Sequence, residues 1–297
     1  MNNEPAFELR DVAFSYEGKQ PALVNVSLTI HAGERVAILG SNGSGKSTLL
    51  KLLDGLYFPT QGVVRAYGQP LSEAAFDDDT FNFAFRRRVG LVFQDTDVQL
   101  FSPSVWEEVA FAPMQLSLKS GEVEARVDGA LRALRIEGLR DRAPHRLSGG
   151  EKRRVALASV LALQPDVWLL DEPTAGLDPR SQCWLIDFIA EQGQAGKTVI
   201  TATHDLSIVD AIAGRVFVFD ESHRLAAQGT PEEILSNQEL LLACNLSHAH
   251  RHRHADSGQE HSHPHSRPPA HAHDAESMRL TPEVQSPRHQ TKELKDT

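Results

Sequence analysis

Residues 40–48 read Gly40, Ser41, Asn42, Gly43, Ser44, Gly45, Lys46, Ser47, Thr48. This is the spacing G-x-x-x-x-G-K-[ST], which suits a polyphosphate. Glycines at 40, 43 and 45 let the backbone curl until successive N–H groups converge on phosphate oxygens, and the positive end of a following helix adds to the attraction. Lys46 then reaches the β and γ phosphates, while the Ser47 hydroxyl is placed for Mg²⁺. A second set of groups lies far along the chain, where Val167-Trp168-Leu169-Leu170 ends in the adjacent carboxylates Asp171 and Glu172. The carboxyl end of a buried strand opens on the ligand crevice of an α/β sheet; there Asp171 can join Ser47 around Mg²⁺ and Glu172 can orient or deprotonate a water. A third set, Leu147-Ser148-Gly149-Gly150, starts a helix and offers another anion-binding N-terminus. Taken singly, each has a plainer reading: a glycine-rich turn, two acids capping the turn at Pro173, and an ordinary serine cap.

These groups must be held by an alternating scaffold. Segments 6–16 and 22–30 have the alternation of half-buried strands, separated by a turn at Gly18. A short apolar strand at 35–39 leads into the phosphate loop, and a helix follows it. Residues 62–67 and 89–93 look like further strands. From about 95 to 163 the pattern becomes helical, notably over 121–136 and 151–163, which predicts a helical insertion. Strands return at 167–170, 198–201 and 216–219, alternating with helices that begin near Pro179 and Asp205. Such alternation implies a mostly parallel sheet covered on both faces. Thr230 and Glu233 have the spacing of a capping box for a last short helix.

The 297 residues carry 30 basic and 40 acidic side chains, a formal charge of −10 that argues against a nucleic-acid partner. Cys183 and Cys244 are too few for a disulfide framework and too isolated for a metal motif. No apolar run approaches the ~20 residues needed to cross a bilayer. The opening MNNEPAFELR lacks a basic-then-apolar segment, so a secretory signal is not expected and the chain is expected to stay in the cytosol.

Taken together and in this order, the loop at 40–48, the LSGG segment at 147–150 and the run LLDEPTAGLD at 169–178 resemble the ATP-binding cassette proteins, over about residues 6–245. The resemblance implies a P-loop NTPase fold of class α/β: a parallel-sheet core, an N-terminal antiparallel β subdomain and an inserted helical subdomain. It implies ATP hydrolysis with Mg²⁺, carried by Glu172, His204 and Lys46. It also implies that two cassettes face each other head to tail, so that Ser148, Gly149, Gly150 and Asp178 of one complete the ATP site of the other. Tyr16 matches the aromatic ring that stacks on adenine. Gln94 matches the glutamine that joins Ser47 and Asp171 in sensing Mg²⁺, and the segment after it is where the family docks on its membrane subunits. His204 corresponds to the switch histidine that contacts the γ phosphate. One departure is Glu151, where many relatives carry glutamine; it leaves the core motif intact. The stretch from Gln94 to Phe111 looks like the energy-coupling-factor branch, importers of vitamins and of cobalt or nickel. That branch places the chain on the cytoplasmic face of the inner membrane, with transmembrane coupling and substrate-binding subunits encoded elsewhere. The insertion Asp77-Asp78-Asp79-Thr80-Phe81-Asn82-Phe83 is less usual and suggests no role.

Beyond residue 246 the composition changes. Ten of the 14 histidines lie there, and the seven basic and seven acidic residues balance, so the whole negative excess belongs to residues 1–245. His248, His250, His252, His254, His261, His263, His265, His271 and His273 recur mostly at alternate positions among Ser, Ala, Arg and prolines from Pro264 onward. The prolines and polar composition predict a disordered tail. Neutral imidazoles bind Ni²⁺, Co²⁺, Cu²⁺ and Zn²⁺, which favours nickel or cobalt as cargo; affinity alone does not choose the metal. A solvated tail without a role, a vitamin importer, a soluble ATPase acting on DNA or ribosomes, and a metal-buffering protein remain the alternatives.

Overall fold

The structure, a computed structural model, describes residues 5–17, 20–247, 249–253 and 260–264. In chain order the elements are β1 (Pro5–Ser15), β2 (Pro21–His31), β3 (Arg35–Leu39), α1 (Lys46–Leu53), β4 (Gln61–Ala66), β5 (Gln69–Pro70), α2 (Glu73–Phe76), α3 (Asp79–Arg88) and β6 (Val89–Val92). The helical stretch holds α4 (Val105–Gln115), α5 (Ser120–Ala133) and α6 (Gly149–Leu161). Then come β7 (Val167–Asp171), α7 (Pro179–Gln194), β8 (Thr198–Thr203), α8 (Val209–Ile212), β9 (Arg215–Phe219), β10 (Leu225–Gly229), α9 (Pro231–Ser236), α10 (Gln238–Ala243), β11 (Ala249–Arg253) and β12 (Glu260–Pro264).

Six strands form the main sheet in the order β10-β9-β3-β8-β7-β6, with β6, β7, β8, β3 and β9 parallel and β10 antiparallel at the edge. Strands β7 and β8 are buried at every residue, as expected for central parallel strands with both faces covered. The antiparallel sheet β2-β1-β4-β5 lies across α1. That helix is clamped between the two sheets: Leu49, Leu50, Leu52 and Leu53 are all fully buried. A second core, around Trp168, Leu185 and Val199, joins the other face of the main sheet to α4, α5, α6 and α7.

The expected strands and the helical insertion are present with shifts of a residue or two at their ends. Helix α5 stops at Ala133, short of the expected 136, because Arg135 takes a left-handed backbone (φ 55°) that no helix continues through. After Asp205 there is a 3-10 turn, Leu206–Ile208, and the single turn α8 rather than a full helix; the Asp205 carboxylate caps that turn through Ser207 N–H at 2.9 Å. The 77–83 insertion links α2 to α3 and forms the first half of α3, where its Phe81 joins Phe76 and Phe85 in an aromatic cluster that Gly55 admits. A Cβ at Gly55 would stand 2.3 Å from the Phe76 ring. The Gly18 turn and His248, His254, His265, His271 and His273 lie outside the described residues. Strands β11 and β12 pair antiparallel, His250 opposite His263 and His252 opposite His261, where the tail composition predicted no regular structure. Histidine at every second position has the period of a strand.

Candidate nucleotide site

Strand β3 delivers the chain to the carboxyl edge of the main sheet, and residues 40–45 turn it into α1. The turn needs glycine at both ends. A Cβ on Gly45 (φ 107°) would meet Ala22 O at 2.3 Å, and one on Gly40 would meet Ser44 Oγ at 2.2 Å. The Ser44 hydroxyl is buried and has no hydrogen-bond partner among the described residues, as a group reserved for an external acceptor would be. Lys46, 5% exposed, donates from Nζ to Gly40 O at 2.8 Å and Ser41 O at 3.2 Å.

Strand β7 brings Asp171 and Glu172 to the same edge. The Ser47 hydroxyl donates to Asp171 Oδ1 at 3.0 Å. Burial pushes the Asp171 carboxyl up from its ordinary range; the Ser47 hydrogen bond opposes this, Glu172 adds to it, and Lys46 and Lys51 oppose it. Glu172 is 4% exposed and has a left-handed backbone (φ 42°), a strain a non-glycine residue carries only when its surroundings enforce it. Its Oε1 lies 3.4 Å from Lys46 Nζ and 2.9 Å from His204 Nδ1, and its Oε2 accepts from the Thr203 hydroxyl at 3.2 Å. Lys46, Ser47, Asp171, Glu172 and His204, spread over 159 positions, thus form one connected cluster. Among the described residues no group of three or more His, Cys, Asp or Glu could by itself hold a metal ion. The paired oxygens of Ser47 and Asp171 suit a hard cation that takes its remaining ligands from phosphate and water.

Tyr16 stands against α1, its hydroxyl 3.0 Å from Thr48 Oγ1 and its ring edge-on to Phe14 and Tyr57. Gln94 is exposed just after β6 and is held through its backbone. Arg153, 5% exposed on α6, donates to Phe93 O and Gln94 O at 2.7 Å each. Burial pushes the Arg153 guanidinium down, while Asp171 and Asp95 push it up. Arg153, Thr203 and Tyr57 escaped the sequence reading. Lys152, Arg153 and Arg154 are three consecutive cations, and only the packing of α6 selects the middle one. Thr203 ends an apolar strand and signals nothing more in sequence.

Ser148, Gly149, Gly150 and Asp178 gather elsewhere. Ser148 caps α6 in a capping box with Glu151, and Asp178 caps α7 by accepting from Arg180 N–H at 3.0 Å and Ser181 N–H at 3.1 Å. A Cβ on Gly150 would lie 3.6 Å from Ser181 Oγ, so the two helix starts are neighbours. The Asp178 carboxyl is held below the usual range by the Ser181 hydroxyl, then by the Ser181 and Arg180 N–H groups. Among the described residues no hydrogen bond or ion pair links these four to residues 40–48.

The sequence profile of the ABC transporter family matches residues 23–175, from within β2 to just beyond the paired carboxylates. The chain belongs to the ABC transporter family. The cassette is 51% identical over 245 residues to the nickel import ATP-binding protein NikO of Rhodobacter capsulatus, covering 82% of this chain and 96% of that one. It is 45% identical over 239 residues to an energy-coupling factor transporter ATP-binding protein of Methanothermobacter thermautotrophicus, covering 80% and 75%. Among solved structures it superposes on cbiO1 of Clostridium perfringens, part of the ABC transporter complex cbiONQ, with TM-score 0.69, 38% identity and coverage of 82% and 95%. It likewise superposes on a dimeric ATP-binding cassette in a post-hydrolysis state bound to ADP and Pi, with TM-score 0.68, 28% identity and coverage of 76% and 98%. The cassette is an ATPase subunit of an ABC transporter. No helix among its described residues is long and apolar enough to cross a membrane.

Proposed function

We propose that this cassette drives an energy-coupling-factor importer for nickel or cobalt ions from the cytoplasmic face of the membrane. The hydrolytic reading rests on one observation: Glu172 holds Thr203, His204 and Lys46 around a single carboxylate at the mouth of the phosphate loop. The N–H groups of residues 41–48 cradle the phosphates of ATP, and Lys46 exchanges loop carbonyls for phosphate oxygens. Glu172 takes a proton from a water as that oxygen bonds to the γ phosphorus and the bond to the ADP oxygen breaks. His204, fixed at Nδ1, orients the carboxylate and keeps Nε2 for the γ phosphate. Ser47 and Asp171, with Gln94 just after β6, the strand beside β7, would hold Mg²⁺, which when bound neutralises charge on the phosphates. Tyr16 stacks on the adenine.

Because among the described residues Ser148, Gly149, Gly150 and Asp178 share no hydrogen bond or ion pair with their own phosphate loop, they are assigned to the nucleotide of a second cassette, in the simplest case a second copy of this chain. Transmembrane partners dock in the groove of ≈ 400 Å³ that Leu56, Phe83, Phe111 and Leu116 line between α3, β6 and α4. Phe83 and Phe111 there are 49% and 43% exposed, which marks an apolar surface with a partner. The 77–83 insertion supplies one wall of it.

Nickel or cobalt as cargo is supported by the Rhodobacter relative, a nickel import ATP-binding protein, and by the alternate histidines of the tail, four of which the β11–β12 register sets opposite one another. Uptake of nickel, cobalt and biotin by cells lacking this chain tests the assignment: loss of metal uptake with normal biotin entry is expected, and the reverse pattern overturns it. Deleting residues 246–297 should leave ATP hydrolysis intact and reduce metal retention. Loss of all activity would instead support a metal-buffering protein.

A further inference from the structure

The phosphate loop offers a cation and N–H donors, whereas the start of α6 carries an acid in its first turn. Glu151 Oε2 accepts the Ser148 N–H at 2.8 Å and the Ser148 hydroxyl at 2.9 Å, and the Glu151 N–H donates back to Ser148 Oγ at 3.4 Å. Ser148 and Gly149 are exposed, and nothing lies within 4 Å of the place a Gly149 Cβ would take. A bare helix start of this kind attracts an anion through its free N–H groups and its dipole. Here the carboxylate already occupies the Ser148 N–H and the Ser148 hydroxyl and adds a negative charge beside the remaining donors. The backbone N–H and then the hydroxyl of Ser148, with Arg142 and Arg154 reinforcing them, hold the Glu151 carboxyl below its usual range, so it is ionised at neutral pH.

We infer that Glu151 is a positioning residue that weakens ATP-driven closure of two cassettes. To meet the opposing γ phosphate, the Ser148 hydroxyl must leave a carboxylate, and that carboxylate must approach the phosphate. Closure is thereby kept reversible, so the pair reopens readily once the γ phosphate is cleaved. The inference rests on the assignment of Ser148, Gly149 and Gly150 to the nucleotide of a second cassette.

Glutamine at 151 separates this role from capping. Its amide oxygen accepts the same Ser148 N–H, since the capping box takes Glu or Gln alike, but it carries no charge. A like charge removed at ~7 Å in a water-exposed setting is worth about threefold per site, hence about tenfold for the two sites of a symmetric pair. The experiment compares full-length Glu172→Gln with the Glu172→Gln/Glu151→Gln double variant, by sedimentation with Mg-ATP and by fluorescent ATP binding to the monomer. The expected result is association about tenfold tighter in the double variant at low salt, narrowing to less than about 1.5-fold near 1 M salt where screening acts within ~3 Å, with monomer ATP affinity unchanged. Equal association of the two proteins, weaker association of the double variant, or a difference indifferent to salt would overturn the role of Glu151. Absence of ATP-dependent association in both proteins would overturn the underlying assignment of the second-cassette contact and the inference with it.

Discussion

Replacing Glu172 by glutamine removes the charge and basicity of one side chain while keeping its shape. The Thr203 hydroxyl, 3.2 Å away, can still donate to the amide oxygen, and Lys46 keeps its bonds to Gly40 O and Ser41 O at 2.8 and 3.2 Å. The bond to His204 Nδ1 loses its charged acceptor and buried Lys46 loses its carboxylate partner at 3.4 Å, so stability should fall by about 1–5 kcal/mol. The chemical step should suffer far more, because a positioned general base contributes about 10² to 10⁴-fold. ATP binding should move the other way. A carboxylate 3.4 Å from Lys46 Nζ competes with the γ phosphate for that cation, and its loss leaves the ammonium to the nucleotide. The variant should therefore bind ATP as tightly as the wild type or up to about tenfold tighter, while kcat with the membrane partners present falls at least about 100-fold. Direct ATP titration and steady-state phosphate release separate the two effects. A kcat within tenfold of wild type, or an ATP affinity that falls in step with kcat, would refute the assignment of Glu172 as the base.

Arg153→Met leaves the part-buried carbonyls of Phe93 and Gln94 without their donor at 2.7 Å, so denaturant unfolding should show a loss of about 1–3 kcal/mol; a loss under about 0.5 kcal/mol would show that the guanidinium does not hold this segment. Tyr16→Ala should raise the KM for ATP about 5- to 100-fold through lost stacking, whereas Tyr16→Phe, which loses only the 3.0 Å bond to Thr48, should stay within about threefold; equal effects of the two would remove the ring from adenine. Burial outweighs Arg86 and pushes the Asp54 carboxyl from 3.8 up to about 7. Its folded value lies above its unfolded one, so its contribution is complete below about pH 4 and is lost as pH rises through about 7, at most about 4 kcal/mol. Wild-type stability relative to Asp54→Asn should thus fall between about pH 4 and 7 in parallel urea unfolding series and level off above, and superimposable pH profiles would exclude it.

The phosphate loop, the carboxylates ending β7 and the cap of α6 were legible in the sequence because each is a local device. Glycines that the turn cannot do without, acids closing an apolar run and a serine before a helix are all set by neighbours a few positions away. The order of strands and helices was legible for the same reason, through period and breakers. What the sequence could not show is which distant side chains meet. Thr203 and His204 share the Glu172 carboxylate because β7 and β8 run parallel side by side, with Asp171 paired to Ala202. Arg153 reaches the carbonyls of Phe93 and Gln94 only because α6 packs beside β6, and no pattern among three consecutive cations singles it out. The Asp77–Phe83 insertion reads as an anomaly until α3 packs its Phe81 ring against Phe76, which lies over Gly55, and turns Phe83 to the groove. Local chemistry is written in short-range sequence. Tertiary packing decides which pieces become one site and which, like Ser148, Gly149 and Gly150, are left facing outward.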